Sequence, residues 1–253
     1  MTDLAGPDTR PLVAHVVYRF DVGGLENGVV NLVNRLDRWR HVVIAVTVIE
    51  PTFRDRVQRP DVGFVALEKP PGNGAVVWPS LVRHLRHLRP AVVHFCNLAA
   101  LEMQPAAWWA GVPWRVHGEH GRDADDPDGT VKRYQRIRRL YSPFVHHWVA
   151  LSRDLQSYLC QKVHVPASRV TQIFNGVDHQ RFGVSGEPGR VADCPFADPS
   201  LCVVGTVGRM QTVKAQPVLA EAFVRALQQQ PGLRAHLRLA MVGDGPLRAK
   251  CEA

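Results

Sequence analysis

Two basic side chains near the end of the chain follow a loop that contains glycine. Arg209 and Lys214 come after the hydrophobic run 201–207 and Gly208. A strand, a glycine-bearing loop and the start of a helix together present backbone N–H groups and positive charge, which suit a phosphate group. Two cations at a helix start can also be ordinary surface charge, and the spacing alone leaves both interpretations open. We take this loop as a candidate phosphate site.

A second cluster of chemically active side chains stands at the end of another predicted strand. It consists of His117, Glu119 and His120. Imidazoles and carboxylates are common metal ligands, but His117 and Glu119 fall on the same strand face and the HExxH pattern is absent. We therefore expect His120 to be a hydrogen-bonding histidine in a cleft and not a metal ligand. The other histidines, including His15 and His94, are expected to be structural.

Two further loops carry residues that are typical of turns. Gly23 and Gly24 lie between the first predicted strand and helix, where backbone N–H groups can approach a ligand. The GxGxxG pattern of dinucleotide sites is absent, and a simple turn without a ligand stays open as an interpretation. In the second loop, we expect Gly176 to relieve backbone strain and the side chains of Asn175 and Asp178 to cap nearby amides.

All four loops follow predicted strands of one recurrent pattern. Short apolar runs alternate with amphipathic helical segments, which indicates an α/β fold with doubly wound parallel sheets covered by helices on both faces. Ligands of such folds bind beyond the carboxyl ends of the strands. The predicted strands are 12–18, 42–48, 62–67, 91–95, 114–117, 144–151, 169–174, 201–207 and 236–243, and the predicted helices are about 25–36, 81–88, 129–141, 152–162 and 215–229.

Composition divides this pattern into two domains. Residues 184–199 are rich in Gly, Pro, Ser, Asp and Glu, which is typical of a linker. We expect an N-terminal domain at 1–183 and the start of a second domain at 200–253. Two such domains would form a cleft between them.

The charge of the chain indicates anionic partners. The 253 residues include 31 Lys and Arg against 23 Asp and Glu, for a net charge of +8. The five cysteines form no CxxC pair, and no signal peptide or long apolar run is apparent, so we expect a cytoplasmic protein with reduced thiols. The predicted helix 129–141 is strongly basic, and it is either a solvated face or a peripheral contact for anionic lipid at the inner face of the plasma membrane. Its cations are Lys132, Arg133, Arg136, Arg138 and Arg139.

Five motifs, taken in order, resemble those of the family-4 glycosyltransferases of the GT-B type. They are GGLE at 23–26, EHG at 119–121, FNGVD at 174–178 with Phe182, VGRMQTVK at 207–214 and VGDGPLR at 242–248. Their order and spacing agree with the family over residues 12–248. The phrases EHGRD and GRMQTVKAQPVLAEAF are similar to those of sugar transferases linked to exopolysaccharide and PEP-CTERM loci.

The resemblance implies two Rossmann-like domains, the first for a glycan or lipid-linked acceptor and the second for a UDP- or GDP-linked sugar. It implies transfer with retention of configuration and without a metal or cofactor. Arg209 and Lys214 match the cations that bind the leaving diphosphate, and His120 matches a histidine that hydrogen-bonds the donor sugar. The matching glycines would bring backbone amides to the diphosphate or acceptor and shape the nucleotide pocket: Gly23, Gly24, Gly208, Gly243 and Gly245.

The sequence departs from the family pattern at its end. The family carries, further on in the second domain, two glutamates separated by seven residues, and these grip the donor sugar and the ribose. We expect a truncated second domain that exposes a sheet edge and an apolar face. Two alternatives to an active transferase are a fragment that binds a nucleotide or a partner without turnover, and a nucleotide-sugar epimerase. A nucleic-acid-binding protein is disfavoured because no basic and aromatic recognition motif is present.

Overall fold

The computed structural model describes residues 9–123, 125–179, 182–183, 194–196 and 198–252. The chain divides into two compact units, Met1–Gly176 and Val177–Ala253. The linker predicted at 184–199 lies mostly outside the described residues, so the domain limits drawn from composition stay predictions.

The first unit is built on a sheet of seven parallel strands in the order β3-β2-β1-β4-β5-β6-β7. The strands are β1 Leu12–Val17, β2 Arg40–Ala45, β3 Gly63–Ala66, β4 Val92–Cys96, β5 Trp114–Glu119, β6 His147–Ala150 and β7 Val170–Gln172. Central strands of such a sheet are covered on both faces, and every residue of β2 after Arg40 is buried. The predicted parallel, doubly wound sheet is confirmed.

Helices cover both faces of this sheet. They are α1 Gly24–Arg35, α2 Pro51–Arg54, α3 Trp78–Leu88, α4 Asn97–Leu101, α5 Gln104–Trp109, α6 Lys132–Tyr141 and α7 Arg153–Tyr158. Successive residues of β1 point to opposite faces: Val16 packs in one cluster with Leu81 of α3, and Val17 packs in another with Val29 of α1. The alternation explains why the strands are apolar nearly throughout.

Two sequence predictions for the helices need correction. Helical spacing in the sequence predicts that Leu32 and Leu36 share an apolar face with Val29 and Val33. In the structure Leu32 and Leu36 are 38% and 39% exposed, and Val30 is buried together with Val29 and Val33. The basic helix predicted from residue 129 begins at Lys132. Gly129 has a φ of +66°, a left-handed conformation that cannot continue a right-handed helix.

A buried ion pair fixes the end of β5. Arg138 of α6 donates from Nε to Glu119 Oε1 at 2.7 Å and from Nη2 to Oε2 at 3.1 Å, and both side chains are buried. The same guanidinium donates to Asp123 at 3.2 Å, so it also holds the loop that follows the strand. Arg138 therefore does not belong to an exposed basic face of the helix, and its predicted place there is wrong.

The environment keeps Glu119 ionised inside the unit. Burial alone would raise the pKa of this carboxyl group. Hydrogen bonds and charge from His117 and Arg138 outweigh burial and lower the pKa from 4.5 to about 2. Glu119 thus carries its negative charge throughout the physiological pH range.

The second unit repeats the strand–helix–strand pattern. Its strands β8 Cys202–Val207 and β9 Leu237–Val242 are parallel, and the helices are α8 Gln216–Gln229 and α9 Arg248–Glu252. The bounds of β8, α8 and β9 lie within one residue of the predicted ones, whereas α9 was not predicted. Several of its apolar side chains are exposed, among them Val207 at 83% and Val242 at 56%.

Within the part of the chain that the structure describes, no helix combines the length and the apolar character that crossing a bilayer would require.

The ion pair at the end of β5 predicts a specific loss of stability. Glu119→Gln keeps the shape of the side chain but leaves the buried Arg138 without its main charge partner. We expect the free energy of unfolding at pH 7 to fall by about 3 kcal/mol, because an uncompensated buried charge is costly. Urea denaturation followed by circular dichroism measures the change.

An exposed pair in the same unit is the control. Asp154 accepts from Arg122 at 2.6 Å and is 70% exposed, so Asp154→Asn should cost less than about 1 kcal/mol. The Glu119 pKa is lower in the folded chain, so its contribution is present above pH 4.5 and is lost as the pH falls toward 2. The difference in the free energy of unfolding between the wild type and Glu119→Gln should therefore disappear as the pH falls through that range. Equal losses from both substitutions at pH 7 would contradict the assignment.

Candidate functional site

Three imidazoles form a hydrogen-bonded row across β2, β1 and β4. His15 Nε2 lies 3.0 Å from His41 Nδ1, and His15 Nδ1 lies 3.3 Å from His94 Nδ1. At the outer end of the row, His41 Nε2 lies 2.9 Å from the carbonyl oxygen of Leu36. Burial lowers the pKa of all three rings, that of His94 to about 3, so all three are neutral at pH 7.

The row has one consistent arrangement of protons. A carbonyl oxygen only accepts, so His41 Nε2 carries a hydrogen that it donates to Leu36, and His41 Nδ1 accepts from His15 Nε2. His15 Nδ1 is then an acceptor, and His94 Nδ1 donates to it. His94 Nε2 is left as an unprotonated nitrogen. The sequence predicted a structural His94; the row leaves its Nε2 as an acceptor nitrogen, and Cys96 Sγ lies 3.8 Å from it.

His120 follows β5 directly and lies beside His94. The two ring centroids are 6.2 Å apart, and the backbone N–H of His120 donates to Asn97 Oδ1 at 2.7 Å. His120 Nε2 is buried and has no hydrogen-bond partner among the described residues. Burial, followed by the charge of His117, lowers the pKa of His120 to about 4, although Glu119 acts in the opposite sense. At pH 7 this ring is a neutral hydrogen-bonding group.

Gly118 keeps a space open between these two rings. A Cβ on Gly118 would lie 2.8 Å from His120 Nε2 and 2.9 Å from His94 Nε2. Cys96, which is paired with Gly118 across β4 and β5, places its Sγ 3.8 Å from both ring nitrogens of His94. Sequence reasoning missed Cys96, although this residue also stands at the carboxyl end of a strand, which is the position that pointed to His120.

His117 and Glu119 do not join His120 in a metal triad. The Glu119 carboxylate is held by Arg138, and His117 Nε2 lies 3.4 Å from Glu119 Oε1. Both side chains are fully buried. Glu119 is therefore a structural carboxylate at the end of β5. The imidazole beyond the carboxyl end of that strand is the one of His120.

The loop at Gly23 and Gly24 opens directly into α1. Gly23 is the residue before the helix, with an extended φ of −166°, and neither glycine adopts the left-handed conformation expected of a tight glycine turn. A Cβ on Gly23 would lie 2.0 Å from Glu26 Oε2, so the glycine makes room for that carboxylate. The helix start thus presents backbone N–H groups beside a negative charge, and the charge of Glu26 also helps to raise the pKa of Cys96, after the larger effect of burial.

Two loops of the second unit are bound to each other by their backbones. Gly208 N–H donates to the carbonyl oxygen of Val242, and Met210 N–H donates to that of Asp244, both at 2.9 Å. Gly243 and Gly245 have φ values of +142° and +150°.

Side chains at these two glycines would not fit. A Cβ on Gly243 would lie 2.1 Å from Gly208 O, and one on Gly245 would lie 2.6 Å from Met210 O. The two glycines were predicted to shape a nucleotide pocket; in the structure they support the Gly208–Met210 backbone.

Arg209 and Lys214 both precede the start of α8, as the sequence predicted. Arg209 is exposed, and its carbonyl oxygen accepts from Gln216 Nε2 at 2.9 Å. Lys214 is exposed at the end of a 3₁₀ turn, and Ala215, with a φ of +53°, links that turn to α8. Neither cation forms an ion pair within the described residues. Both charges therefore remain available to an anion at this helix start.

The loop 175–178 differs from its prediction. Gly176 does not adopt a positive φ, and a Cβ there would meet no atom within 4 Å, so the glycine does not relieve backbone strain. The carbonyl oxygen of Asp178 accepts from Phe182 N–H at 2.8 Å. The side chain of Asn175 is exposed. The loop begins shortly after β7, at the limit of the first unit.

The sequence matches one family model. The family described as Glycosyltransferase Family 4 covers residues 22–181, which is more than half of the chain. A search of curated proteins gives no match.

Several solved structures share the fold. A glycosyltransferase from Rickettsia africae ESF-5 is 14% identical with a TM-score of 0.65, and the match covers 93% of this chain and 69% of that one. Anabaena Alr3699/HepE, solved with UDP and glucose, is 17% identical with a TM-score of 0.63, covering 92% and 69%. A UDP-GlcNAc 2-epimerase from Neisseria meningitidis, bound to UDP-GlcNAc, is 14% identical with a TM-score of 0.52, covering 95% and 67%.

At these identities the structural likeness shows the fold, which is the α/β fold of GT-B glycosyltransferases. The family follows from the sequence match over residues 22–181. The chain belongs to glycosyltransferase family 4.

Proposed function

We propose that this glycosyltransferase moves a sugar from a UDP- or GDP-linked donor to a glycan or lipid-linked acceptor. The observation that carries the proposal is the pair of exposed cations, Arg209 and Lys214, in the segment that leads into α8. A nucleoside diphosphate has the charge and size to use both cations together with the positive end of the α8 dipole. The fold relative from Anabaena, solved with UDP and glucose, supports the same donor chemistry.

The proposed chemistry follows the movement of charge. As the bond between the sugar and the diphosphate breaks, negative charge grows on the β-phosphate. Arg209, Lys214 and the N-terminus of α8 stabilise that charge, and they do so best when they are already fixed in position. The loop pairing at Gly243 and Gly245 supplies this fixed backbone. We propose that the transfer itself needs no metal and retains the anomeric configuration, as the resemblance implies.

The first unit supplies the groups that we assign to sugar hydroxyls. His120 is neutral at pH 7, so it suits a hydroxyl better than a phosphate. The start of α1 combines N–H donors with the nearby Glu26 carboxylate, which disfavours an anion and suits an acceptor hydroxyl. Of the two roles open for Gly23 and Gly24, we therefore propose the acceptor role.

We further propose a role in exopolysaccharide or cell-surface glycan synthesis, of the kind linked to PEP-CTERM loci. The support is the likeness of EHGRD at 119–123 and of the segment that begins at Gly208. A second function is a nucleotide-sugar epimerase, which the epimerase of Neisseria meningitidis favours at the level of the fold alone.

Product analysis separates these functions. The 253-residue chain is incubated with UDP- and GDP-sugars, with and without glycan and lipid-linked acceptors. A transferase releases the nucleotide and extends the acceptor. Conversion of the free nucleotide sugar without any acceptor would establish an epimerase instead. Nucleotide binding without either product would establish a binding protein without turnover.

The phosphate assignment predicts a loss of nucleotide affinity. Arg209→Ala and Lys214→Ala should each weaken UDP or GDP binding by about tenfold to a hundredfold, because each removes a hydrogen bond to a charged group. Isothermal titration calorimetry measures the dissociation constant directly and needs no acceptor.

The matched control is Arg234→Ala. Arg234 is an exposed cation of the same unit. It lies in the turn that precedes β9, at the amino-terminal end of the parallel strands, whereas Arg209 follows their carboxyl end. The substitution changes the net charge equally and should leave the affinity within about twofold. Equal effects of all three substitutions would show that net charge, and not this loop, binds the nucleotide.

We also propose that the chain works in the cytoplasm and contacts anionic lipid at the inner face of the plasma membrane through α6. Three exposed cations remain for this contact, Lys132, Arg133 and Arg136. Arg138 is buried, and Arg139 donates to the backbone of Val163 at 3.1 Å. The lipid surface is therefore the N-terminal half of the helix.

This surface predicts binding to charged vesicles. Replacing Lys132, Arg133 and Arg136 together by Gln should weaken sedimentation with phosphatidylserine vesicles by about a hundredfold, since each cation near such a surface contributes about 1 kcal/mol. The control replaces three other exposed arginines of the first unit by Gln: Arg54, Arg83 and Arg89. Both triple variants have the same net charge. Equal loss in both, or binding to neutral vesicles, would overturn the assignment to α6.

A further inference from the structure

Two adjacent tryptophans stand exposed at the end of α5. Trp108 and Trp109 are 58% and 60% exposed, whereas the preceding Ala106 and Ala107 are buried in the core that covers one face of the sheet. A tryptophan ring buries up to about 250 Å² when it is fully covered, so the two rings leave about 200–300 Å² of mostly apolar surface in solvent. Apolar surface of this kind, gathered in one place, marks a contact with a partner.

The end of α6 lies beside these tryptophans. The rings of Trp108 and Phe144 pack edge to face with 5.6 Å between their centroids, and Phe144 belongs to the turn that follows α6. The carbonyl oxygen of Phe144 accepts from Nε of the buried Arg115 of β5 at 2.6 Å. Trp108 therefore packs against a turn that is fixed to the sheet.

Leu140 connects this aromatic surface to the cations of α6. It is 66% exposed. Residues four apart lie on the same side of a helix, so Lys132, Arg136 and Leu140 form one line along α6, and Arg133 is exposed next to it. The exposed side of the helix thus begins with cations and ends with an apolar side chain next to the turn that contacts Trp108.

The surroundings of this surface carry little negative charge. Neither the segment 103–118 nor the segment 129–153 contains an Asp or a Glu. Glu102, which precedes α5, does approach the end of α6, where its charge helps to raise the pKa of Tyr141 after the larger effect of burial. Glu102 is half-buried, however, and the exposed charges along α6 are positive. A partner that is both apolar and anionic complements this surface, and an anionic bilayer has both properties.

The size of the apolar surface also favours a bilayer over a second protein chain. A stable protein interface buries about 800 Å² on each partner, which is well above the area of two rings and one leucine. Shallow insertion into a bilayer has no such requirement. Tryptophan is enriched at membrane interfaces because its apolar body enters the lipid while its N–H stays near water.

We propose that Trp108, Trp109 and Leu140 insert into the interface of an anionic bilayer and anchor the first unit there. This anchor rests on the lipid contact proposed for α6, and it adds an apolar part to that contact. The cations of α6 attract the unit to the negatively charged surface, and salt screens this attraction. Burial of the two rings and of Leu140 is not screened, so it holds the unit at the bilayer when the salt concentration is high.

An apolar variant tests the anchor without changing the net charge. It replaces Trp108, Trp109 and Leu140 together by Gln. Sedimentation with phosphatidylserine vesicles, at about 0.1 M and about 0.5 M salt, compares screened with less screened binding. We expect the apolar variant to bind about a hundredfold more weakly than the wild type at both salt concentrations, because it buries much less apolar area. Circular dichroism verifies that the variant is folded.

The matched control replaces Trp114, Tyr18 and Val76 by Gln. These side chains are 61%, 40% and 60% exposed. Trp114 points away from the face that α5 covers, because the next residue of β5, Arg115, pairs with Val93 of the core on that face. The control should bind vesicles within about twofold of the wild type. Equal loss in the control and in the apolar variant would show that exposed apolar area in general, and not this surface, binds lipid.

Lipids with brominated acyl chains provide a second measurement, because bromine quenches only tryptophans that enter the bilayer. We expect quenching in the wild type and in the control, and its loss in the apolar variant. A folded apolar variant that binds and is quenched like the wild type would overturn the anchor. Sedimentation velocity without lipid tests the other partner. A wild-type dimer that the apolar variant does not form would show that a second copy covers the rings, and the bilayer proposal would then be wrong.

The variant with Gln at Lys132, Arg133 and Arg136 separates the anchor from the α6 contact. It should bind vesicles more weakly than the wild type at low salt and equally well at high salt. Loss of binding in this variant alone would leave the α6 contact in place and overturn the anchor. Loss in the apolar variant alone would support the anchor and overturn the α6 contact. UDP titration of the same samples tests the loop at Arg209 independently of both.

Discussion

The buried pair between Glu119 and Arg138 is the contact on which the geometry of the first unit's site depends. It joins the last residue of β5 to a helix, and through Asp123 it also holds the loop that follows. His120 lies between Glu119 and Asp123, both of which are bound by Arg138, so its backbone is held in a defined position at the end of β5. Removing both charges from water costs free energy, and the two hydrogen bonds between them offset part of that cost while they fix the end of β5.

The pairing register of the parallel strands places further polar side chains near that strand end. Parallel pairing sets His15 beside His94 and Cys96 beside Gly118, so a polar row crosses the unit inside an otherwise apolar face. Because burial keeps the rings neutral, one carbonyl oxygen at Leu36 determines which nitrogens carry hydrogens along the whole row. A local hydrogen bond at the rim of the sheet thereby sets the chemistry of a nitrogen two strands away.

In the second unit, contacts between two backbone segments hold the candidate site in position. Gly243 and Gly245 let one loop approach the other so closely that no side chain would fit between them. This contact fixes the backbone on which Arg209 stands, while the charged ends of Arg209 and Lys214 remain exposed. In each unit, exposed or neutral polar groups therefore stand on a backbone that is fixed by contacts within the same unit.

The sequence alone determined the alternating α/β pattern and the parallel sheet, and it picked out the strand-end loops that we propose as ligand sites, because apolar periodicity and strand-end loops are local properties of the chain. It also selected Arg209, Lys214 and His120 from their position after strands. Only the tertiary structure decided that Arg138 is buried, that Gly176 is unstrained and that Cys96 joins His94 and His120. Those facts depend on which strands are neighbours and in what register, and residues distant in sequence carry no local signal of that pairing.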